Sequence, residues 1–203
     1  MLMFDCVILA AGASSRMRAP EGGPALKPLM PFALSTMIET AVAAALGAGC
    51  RAFIVVGNRA SEVAAPFEAE SYRGPRDEGR LLVVANPRWE EGLLGSIQSA
   101  LPFLAGEAFF LAHADMPFVA SEAYRALAKA FGPTTAIVAS HGGVRGHPVL
   151  LPTAWIPEIL ALDIKGRLRD YIAGKPIFLV ETGPGALRDI DTPEEYNDAM
   201  EGP

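Results

Sequence analysis

Apolar runs alternate with helix-like segments through the first two thirds of this chain. The apolar runs lack regular polar alternation, which is typical of strands buried on both faces of a sheet. They span residues 4–10, 52–56, 81–84, 108–112 and 135–139. Helical patterns lie at residues 36–47, 61–70, 94–104 and 121–131. This alternation predicts a single α/β domain with a Rossmann-like three-layer α/β/α architecture and a mostly parallel mixed sheet.

Capping and turn residues predict where two of the helices begin and where one loop lies. Thr36 with Glu39 three residues later predicts a capping box, and Ser121 predicts the N-cap of the fourth helix. The charged segment 73–79 contains Gly and Pro and predicts a loop.

The final third is less regular, with strands expected at 148–151 and 176–180 and short helices at 156–160 and 167–172. The last helix begins with Thr192 as N-cap, Pro193 as its first residue and Glu195 at the third position.

Composition narrows the class of protein further. The chain has 203 residues, of which 51% are hydrophobic and 20% charged, so it is not intrinsically disordered. A net charge of −6 argues against nucleic acid and anionic membranes as partners. No apolar run reaches the roughly 18 residues of a membrane helix. Cys6 and Cys50 lack metal-site spacing and are expected to be buried, reduced thiols, which favours a cytoplasmic location.

The segment Leu9–Met17 follows the first predicted strand, where ligands of open α/β sheets bind. Its small residues allow close approach to the backbone, whose N–H groups form an anion nest. Arg16 adds a bidentate phosphate contact, and Lys27 beyond it adds a point charge. The alternative is a tight turn with a surface arginine.

Carboxylates follow two other predicted elements. Asp115 ends the fourth strand, and Asp189 and Asp191 alternate so that both face one side of a strand end. Magnesium binds one or two carboxylates together with phosphate oxygens, so these residues predict a Mg²⁺–triphosphate site. The alternative is turn formation at Asp115 and helix capping at the other two.

A third candidate is His147, which lies between Gly146 and Pro148 and is expected on a turn that enters a strand. It is placed to hydrogen-bond a substrate, although a lone histidine is more often structural. His113 is expected near the site in a packing role.

Taken together in this order, the segments resemble the MobA-like NTP transferases, which include molybdenum cofactor cytidylyltransferases and guanylyltransferases. The resemblance spans nearly the whole chain and is carried by the segments Leu9–Met17 with Lys27, Asn86–Ser96, Ala114–Val119, Gly146–Pro148, Asp163–Arg167 and Asp189–Glu195. It implies a nucleotide-diphospho-sugar transferase-like fold, with a nucleotide-binding half at about 1–120 and an acceptor-binding half at about 121–203.

The resemblance also implies a role for each residue. Catalytic roles fall to Arg16, Lys27 and Asp115. Nucleotide binding falls to Leu9, Ala10, Ala11, Gly12, Ala13, Ser14, Ser15, Arg16, Lys27, Gly92 and Ser96. The Mg²⁺ cofactor is assigned to Asp115 and Asp191, and acceptor binding to His147, Asp163, Gly166 and Arg167.

The implied activity is transfer of CMP from CTP to the phosphate of a molybdopterin-type acceptor, with release of pyrophosphate. With Ala at position 11, this segment resembles that of the cytidylyl branch, whereas the guanylyl branch usually has Gly at this position. The alternatives are a guanylyltransferase, or a cytidylyltransferase for a sugar or methylerythritol phosphate. A further alternative is a non-catalytic accessory protein that delivers the cofactor to a molybdoenzyme, favoured by the lengthened loop Arg18–Leu26.

Overall fold

A computed structural model of the chain describes residues 4–13 and 26–201. Its strands are β1 (Phe4–Ala10), β2 (Pro31–Phe32), β3 (Ser35–Thr36), β4 (Arg51–Val56), β5 (Leu81–Ala85), β6 (Ala108–His113), β7 (Ala136–His141), β8 (Val144–Pro152) and β9 (Ile177–Glu181). Its helices are α1 (Met37–Gly47), α2 (Ala60–Ala64), α3 (Arg73–Asp77), α4 (Leu93–Ala100), α5 (Ser121–Lys129), α6 (Ile156–Leu160), α7 (Leu168–Ala173) and α8 (Pro193–Glu201).

Seven strands form one sheet in the order β5-β4-β1-β6-β8-β7-β9. β8 is antiparallel to both of its neighbours, and the other pairings are parallel, which confirms the predicted mixed sheet. The strand order reverses at β1, because β4 and β5 lie on one side and β6 lies on the other. Ligands of open α/β sheets bind at such a switch point, outside the carboxyl ends of the strands.

Helices cover both faces of the sheet, which gives three layers. Alternate residues of β1 point to opposite faces: Cys6 and Ile8 pack in the cluster that includes α1 and α5, and Val7 and Leu9 pack in the cluster that includes α4 and α7. Because both faces are buried, the strands are apolar throughout, which is the pattern visible in the sequence. Cys6 and Cys50 are buried and form no disulfide bond.

Both predicted capping boxes are present. The Thr36 hydroxyl accepts a hydrogen bond from the Glu39 N–H at the start of α1. Glu195 and Thr192 exchange the equivalent bonds at the start of α8. The helices predicted at 61–70 and 94–104 end earlier, at Ala64 and Ala100, and continue only as 3-10 turns that contain proline.

Two local predictions were wrong. Ser121 is the first residue of α5 rather than its cap, and its hydroxyl instead donates to the Ala44 carbonyl oxygen at 2.8 Å. The segment predicted as a loop contains α3, where Pro75 lies in the first turn and needs no N–H partner. Arg76 fastens this short helix by donating to the Phe67 carbonyl oxygen at 2.7 Å.

One buried carboxylate joins the starts of three chain segments. Asp5 on β1 is fully buried and accepts two hydrogen bonds from Arg51 on β4, at 2.7 and 2.9 Å. It also accepts bonds from the backbone N–H groups of Ala105 and Gly106, just before β6. Asp5 therefore ties the three central strands together at the edge of the sheet away from the switch point.

We expect Asp5→Ala to lower the free energy of unfolding by about 3–5 kcal/mol, because it leaves the Arg51 guanidinium and the N–H groups of Ala105 and Gly106 without their partner. Urea unfolding followed by circular dichroism measures this change. Asp77→Ala is the control, because Asp77 is exposed and pairs with Arg73 at 3.5 Å. The control should change stability by less than about 0.5 kcal/mol. Equal stability of the two variants would contradict the assigned role of Asp5.

Candidate active site

Three charged side chains from distant parts of the chain meet at the switch point of the sheet. The Lys27 ammonium donates to Asp115 Oδ2 at 2.6 Å and to Asp191 Oδ1. The Lys27 side chain is 10% exposed, and those of Asp115 and Asp191 are 28% and 36% exposed. A cation thus lies between two carboxylates at the edge where the sequence predicted a metal site. Lys27 thus reaches this edge of the sheet.

Backbone hydrogen bonds position the two carboxylates. Asp115 lies two residues beyond the end of β6, and its carbonyl oxygen accepts a bond from the Ile190 N–H at 3.0 Å. The Asp191 N–H donates to Glu195 Oε2 at 2.7 Å, within the turn that begins α8. The prediction of a strand end at residues 189–191 was wrong, since these residues lie in an irregular segment before α8, in which Asp189 is exposed.

A small apolar cluster lies beneath these charges, formed by Met30, Met37 and Ile190. Phe32 and Phe118 pack against it. Met30 follows Lys27 by three residues, Phe118 follows Asp115 by three, and Ile190 precedes Asp191. Burial of these side chains brings the three charged segments together, because each charged residue is a few positions from an anchored apolar one.

The electrostatics of the trio favour a cation. Burial lowers the pKa of Lys27, but Asp115 and Asp191 outweigh it and raise that pKa above its usual value. Lys27 is therefore a protonated ammonium between the two carboxylates, whose oxygens are the kind of ligand that Mg²⁺ prefers. The described residues contain no group of three or more His, Cys, Asp or Glu side chains arranged around a metal position. The carboxylate pair fits a metal whose remaining ligands come from phosphate and water.

A cavity of about 670 Å³ opens beside the trio. Its floor is apolar and combines side chains of β1, β6, β7 and β8 with those of α4, including Leu9, Leu94, Ile97, Leu111, Val138 and Val149. Gly92, at the start of α4, also lines it with a φ of +123°, a conformation that favours glycine. The cavity thus offers an apolar surface for a ring system next to the charged trio.

The rim of this cavity is basic. Among the described residues, four exposed cations line it, namely Arg145, Lys165, Arg167 and Arg169, against the single lining carboxylate of Glu91. Sequence reasoning selected Arg167 but missed the other three. Two sequence features could have indicated these residues. Basic residues alternate at positions 165, 167 and 169, and Arg145 lies two residues before His147. A cationic rim around an apolar floor suits an anionic substrate with a ring system.

His147 lies inside strand β8, so its predicted position on a turn was wrong. Strand β8 runs antiparallel to β6, with Leu111 opposite Val149, and the same register brings His147 opposite His113. The two rings meet edge to face, with centroids 4.4 Å apart, and both line the cavity. His147 Nδ1 lies 3.5 Å from the Leu111 carbonyl oxygen.

Both histidines are neutral at pH 7. Burial lowers the pKa of His147 to about 4, and the neighbouring His113 adds to this effect. Burial also lowers the pKa of His113, although Asp115 partly opposes the shift. The pair therefore presents neutral imidazole rings, rather than extra positive charge, to the cavity.

The pKa of His147 predicts a specific pH dependence of stability. The unfolded chain protonates this ring near pH 6.5, but the folded chain does so only near pH 4. The folded state therefore loses stability as pH falls from about 6.5 to 4, by up to about 3 kcal/mol. In urea unfolding, His147→Asn should lose less stability between pH 7 and pH 5 than the unsubstituted protein. His141→Asn, at an exposed position, should keep the full loss. The same loss in both variants would rule out His147 as the source.

The predicted nucleotide loop is only partly described. Leu9 lines the cavity, Ala10 and Ala11 are buried, and Gly12 and Ala13 are exposed. Ser14, Ser15 and Arg16 lie outside the described residues. The Leu9 carbonyl oxygen accepts a bond from the Ala114 N–H at 3.1 Å, which joins the loop to the segment of Asp115.

The remaining predicted residues fall into two groups. Gly92, His147, Gly166 and Arg167 line the same cavity. Ser96 is instead buried, and its hydroxyl accepts a bond from Asn86 Nδ2 at 3.0 Å. Asp163 is exposed and accepts a bond from the Lys165 N–H at 3.0 Å, so it shapes the turn that carries the basic rim.

A mostly parallel sheet with two carboxylates and a lysine at its switch point, beside a cavity with a cationic rim, fits the needs of a nucleotidyltransferase, which binds anionic substrates. The chain belongs to the MobA-like NTP transferase domain family, whose model matches residues 6–179. It is 28% identical over 202 residues to the molybdenum cofactor cytidylyltransferase of Escherichia coli (strain K12), covering 99% of this chain and 97% of that protein. It is 26% identical over 209 residues to the nicotine blue oxidoreductase of Paenarthrobacter nicotinovorans, covering 93% and 92%.

Solved structures agree on the fold. A nucleotidyl transferase from Methanothermobacter thermautotroptrophicus superposes with a TM-score of 0.80 at 23% identity, covering 99% of both chains. A Mycobacterium tuberculosis H37Rv protein solved in complex with manganese superposes with a TM-score of 0.72 at 23% identity, again covering 99% of both chains. Divalent metals are typical of nucleotidyltransferases of this family.

Proposed function

We propose that this chain is a magnesium-dependent cytidylyltransferase. It transfers CMP from CTP to the phosphate of a molybdopterin-type acceptor and releases pyrophosphate. The Escherichia coli relative supports this choice, since the similarity extends over nearly the full length of both chains. We further propose that it acts in the cytoplasm.

The observation that carries the proposal is the contact of Lys27 with Asp115 and Asp191 at the carboxyl edge of β1 and β6. Nucleotidyl transfer places several negative charges at one point, so catalysis depends on positioning and charge neutralisation. A bound Mg²⁺ would be held by Asp115 and Asp191 and would neutralise charge on the phosphate oxygens. Lys27 supplies a second positive charge at the same edge.

The chain's own residues bind and orient the two substrates. The backbone of residues 9–15 binds the base and phosphates of CTP, and Arg16 with Lys27 binds the triphosphate. An acceptor phosphate oxygen then attacks the α-phosphorus in line, and the bond to pyrophosphate breaks.

The cavity receives the acceptor. Its apolar floor packs against a ring system, and the neutral rings of His113 and His147 border the space with hydrogen-bonding nitrogen atoms. Arg167 and the other rim cations attract the anionic acceptor to the mouth of the cavity. Asp163 and Gly166 hold the turn on which Arg167 lies, with the Gly166 N–H donating to the Asp163 carbonyl oxygen at 2.7 Å.

Asp115→Asn should slow pyrophosphate release from CTP on the order of a thousandfold, because it removes one anionic ligand of the metal. An enzyme-coupled phosphate assay with acceptor, CTP and MgCl₂ measures the rate. Asp198→Asn, an exposed change on α8, is the matched control and should keep the normal rate. Near-normal turnover by Asp115→Asn would overturn the assigned role of this carboxylate.

The base and the acceptor are tested by exchanging substrates. We expect CTP to give a higher kcat/KM than GTP with a molybdopterin-type acceptor, because Ala11 follows the cytidylyl pattern. A preference for GTP would make the chain a guanylyltransferase. Turnover only with a sugar or methylerythritol phosphate would reassign the acceptor. Cofactor binding without pyrophosphate release would indicate an accessory protein for a molybdoenzyme.

A further inference from the structure

The carboxylates of Asp115 and Asp191 hold a cation that belongs to the chain itself. The Lys27 ammonium contacts one oxygen of each, at 2.6 Å for Asp115 Oδ2, and the lysine side chain is 10% exposed. Divalent cations bound by carboxylates lie about 2.0–2.6 Å from the same kind of oxygen. Lys27 Nζ thus takes up the space between the two groups that a bridging metal would need.

We propose that Lys27 is a placeholder cation, which must leave at least one of the two carboxylates before a divalent metal binds to both. This inference rests on the proposed function, because it takes Asp115 and Asp191 as the metal ligands. It adds that Lys27 and the metal compete for these oxygens when no nucleotide is present.

Charge repulsion is the reason for the competition. A monovalent and a divalent cation a few ångströms apart repel each other strongly, and the partial burial of Lys27 weakens the screening by water. The lysine backbone is held by the 3-10 turn Lys27–Leu29 and by the bond from the Met30 N–H to the Lys27 carbonyl oxygen. Only the flexible side chain of Lys27 therefore needs to move.

The nucleotide supplies the negative charge that draws the Lys27 ammonium away from the carboxylates. A triphosphate brings several negative charges to this edge, and these would attract the ammonium away from Asp115 and Asp191, which would then be available to hold the metal. Binding of nucleotide and metal is then mutually favourable, as linkage requires. The two carboxylates hold one cation or the other at every stage, which avoids leaving like charges side by side.

Mn²⁺ binding to the nucleotide-free protein tests the proposal without any measurement of turnover. Free Mn²⁺ is followed by its electron paramagnetic resonance signal for the unsubstituted protein, Lys27→Met and Lys129→Met. Methionine keeps the length of the side chain and removes its charge. We expect Lys27→Met to bind Mn²⁺ at least tenfold more tightly than the unsubstituted protein. Lys129→Met, changed at an exposed position on α5, should bind as the unsubstituted protein does.

A second measurement covers the case in which Lys27→Met is poorly folded without metal. Mn²⁺ should then raise its melting temperature by more than that of the unsubstituted protein, because the metal replaces the missing ammonium. Equal or weaker Mn²⁺ affinity overturns the proposal, and so does a variant that Mn²⁺ fails to stabilise. The double variant Lys27→Met/Asp115→Asn should lose the tighter Mn²⁺ binding of Lys27→Met, which would confirm Asp115 as a ligand of the metal. Failure of the unsubstituted protein to release pyrophosphate from any nucleotide would overturn the proposed function alone.

Discussion

Two ionised carboxylates that lie side by side in a partly buried site repel each other, and the cation that offsets this repulsion organises the functional edge of the protein. Asp115 and Asp191 are 76 positions apart in the chain, and Lys27 lies 88 positions before Asp115. The cluster of Met30, Met37 and Ile190 holds the three segments together by burial, while the bond from Ile190 to Asp115 fixes their relative positions. Apolar contacts thus bring the charged residues together, and the lysine offsets the repulsion between the two carboxylates.

The sheet and the segments that carry the three charged residues were predictable, because the sequence patterns that indicate them are local. Strands buried on both faces are continuous apolar runs, and Asp115 directly follows one of them. Thr36 and Thr192 were recognisable as caps because the partner glutamate lies three residues away. Ser121 failed as a cap because capping depends on backbone angles that residue type alone does not define.

Features that depend on contacts between distant segments were not predictable. The pairing of His113 with His147 follows from the register of β8 on β6, which the sequence pattern does not specify. The basic rim depends on how the turn from Asp163 to Gly166 folds over the sheet. The burial of Ser96 is a further example, since Ser96 and Asn86 belong to one motif, yet both are buried and neither lines the cavity.

The reversed direction of β8 has a further consequence. Because β8 runs against its neighbours, its first residues lie at the same edge as the last residues of β6, so the β7–β8 hairpin adds Arg145 and His147 to the cavity wall. Changes in the length or sequence of this hairpin would reshape the mouth of the cavity without touching the carboxylate pair. The fold therefore places the carboxylate pair and the mouth of the cavity on different elements, so that the shape of the mouth can change while the carboxylates stay in place.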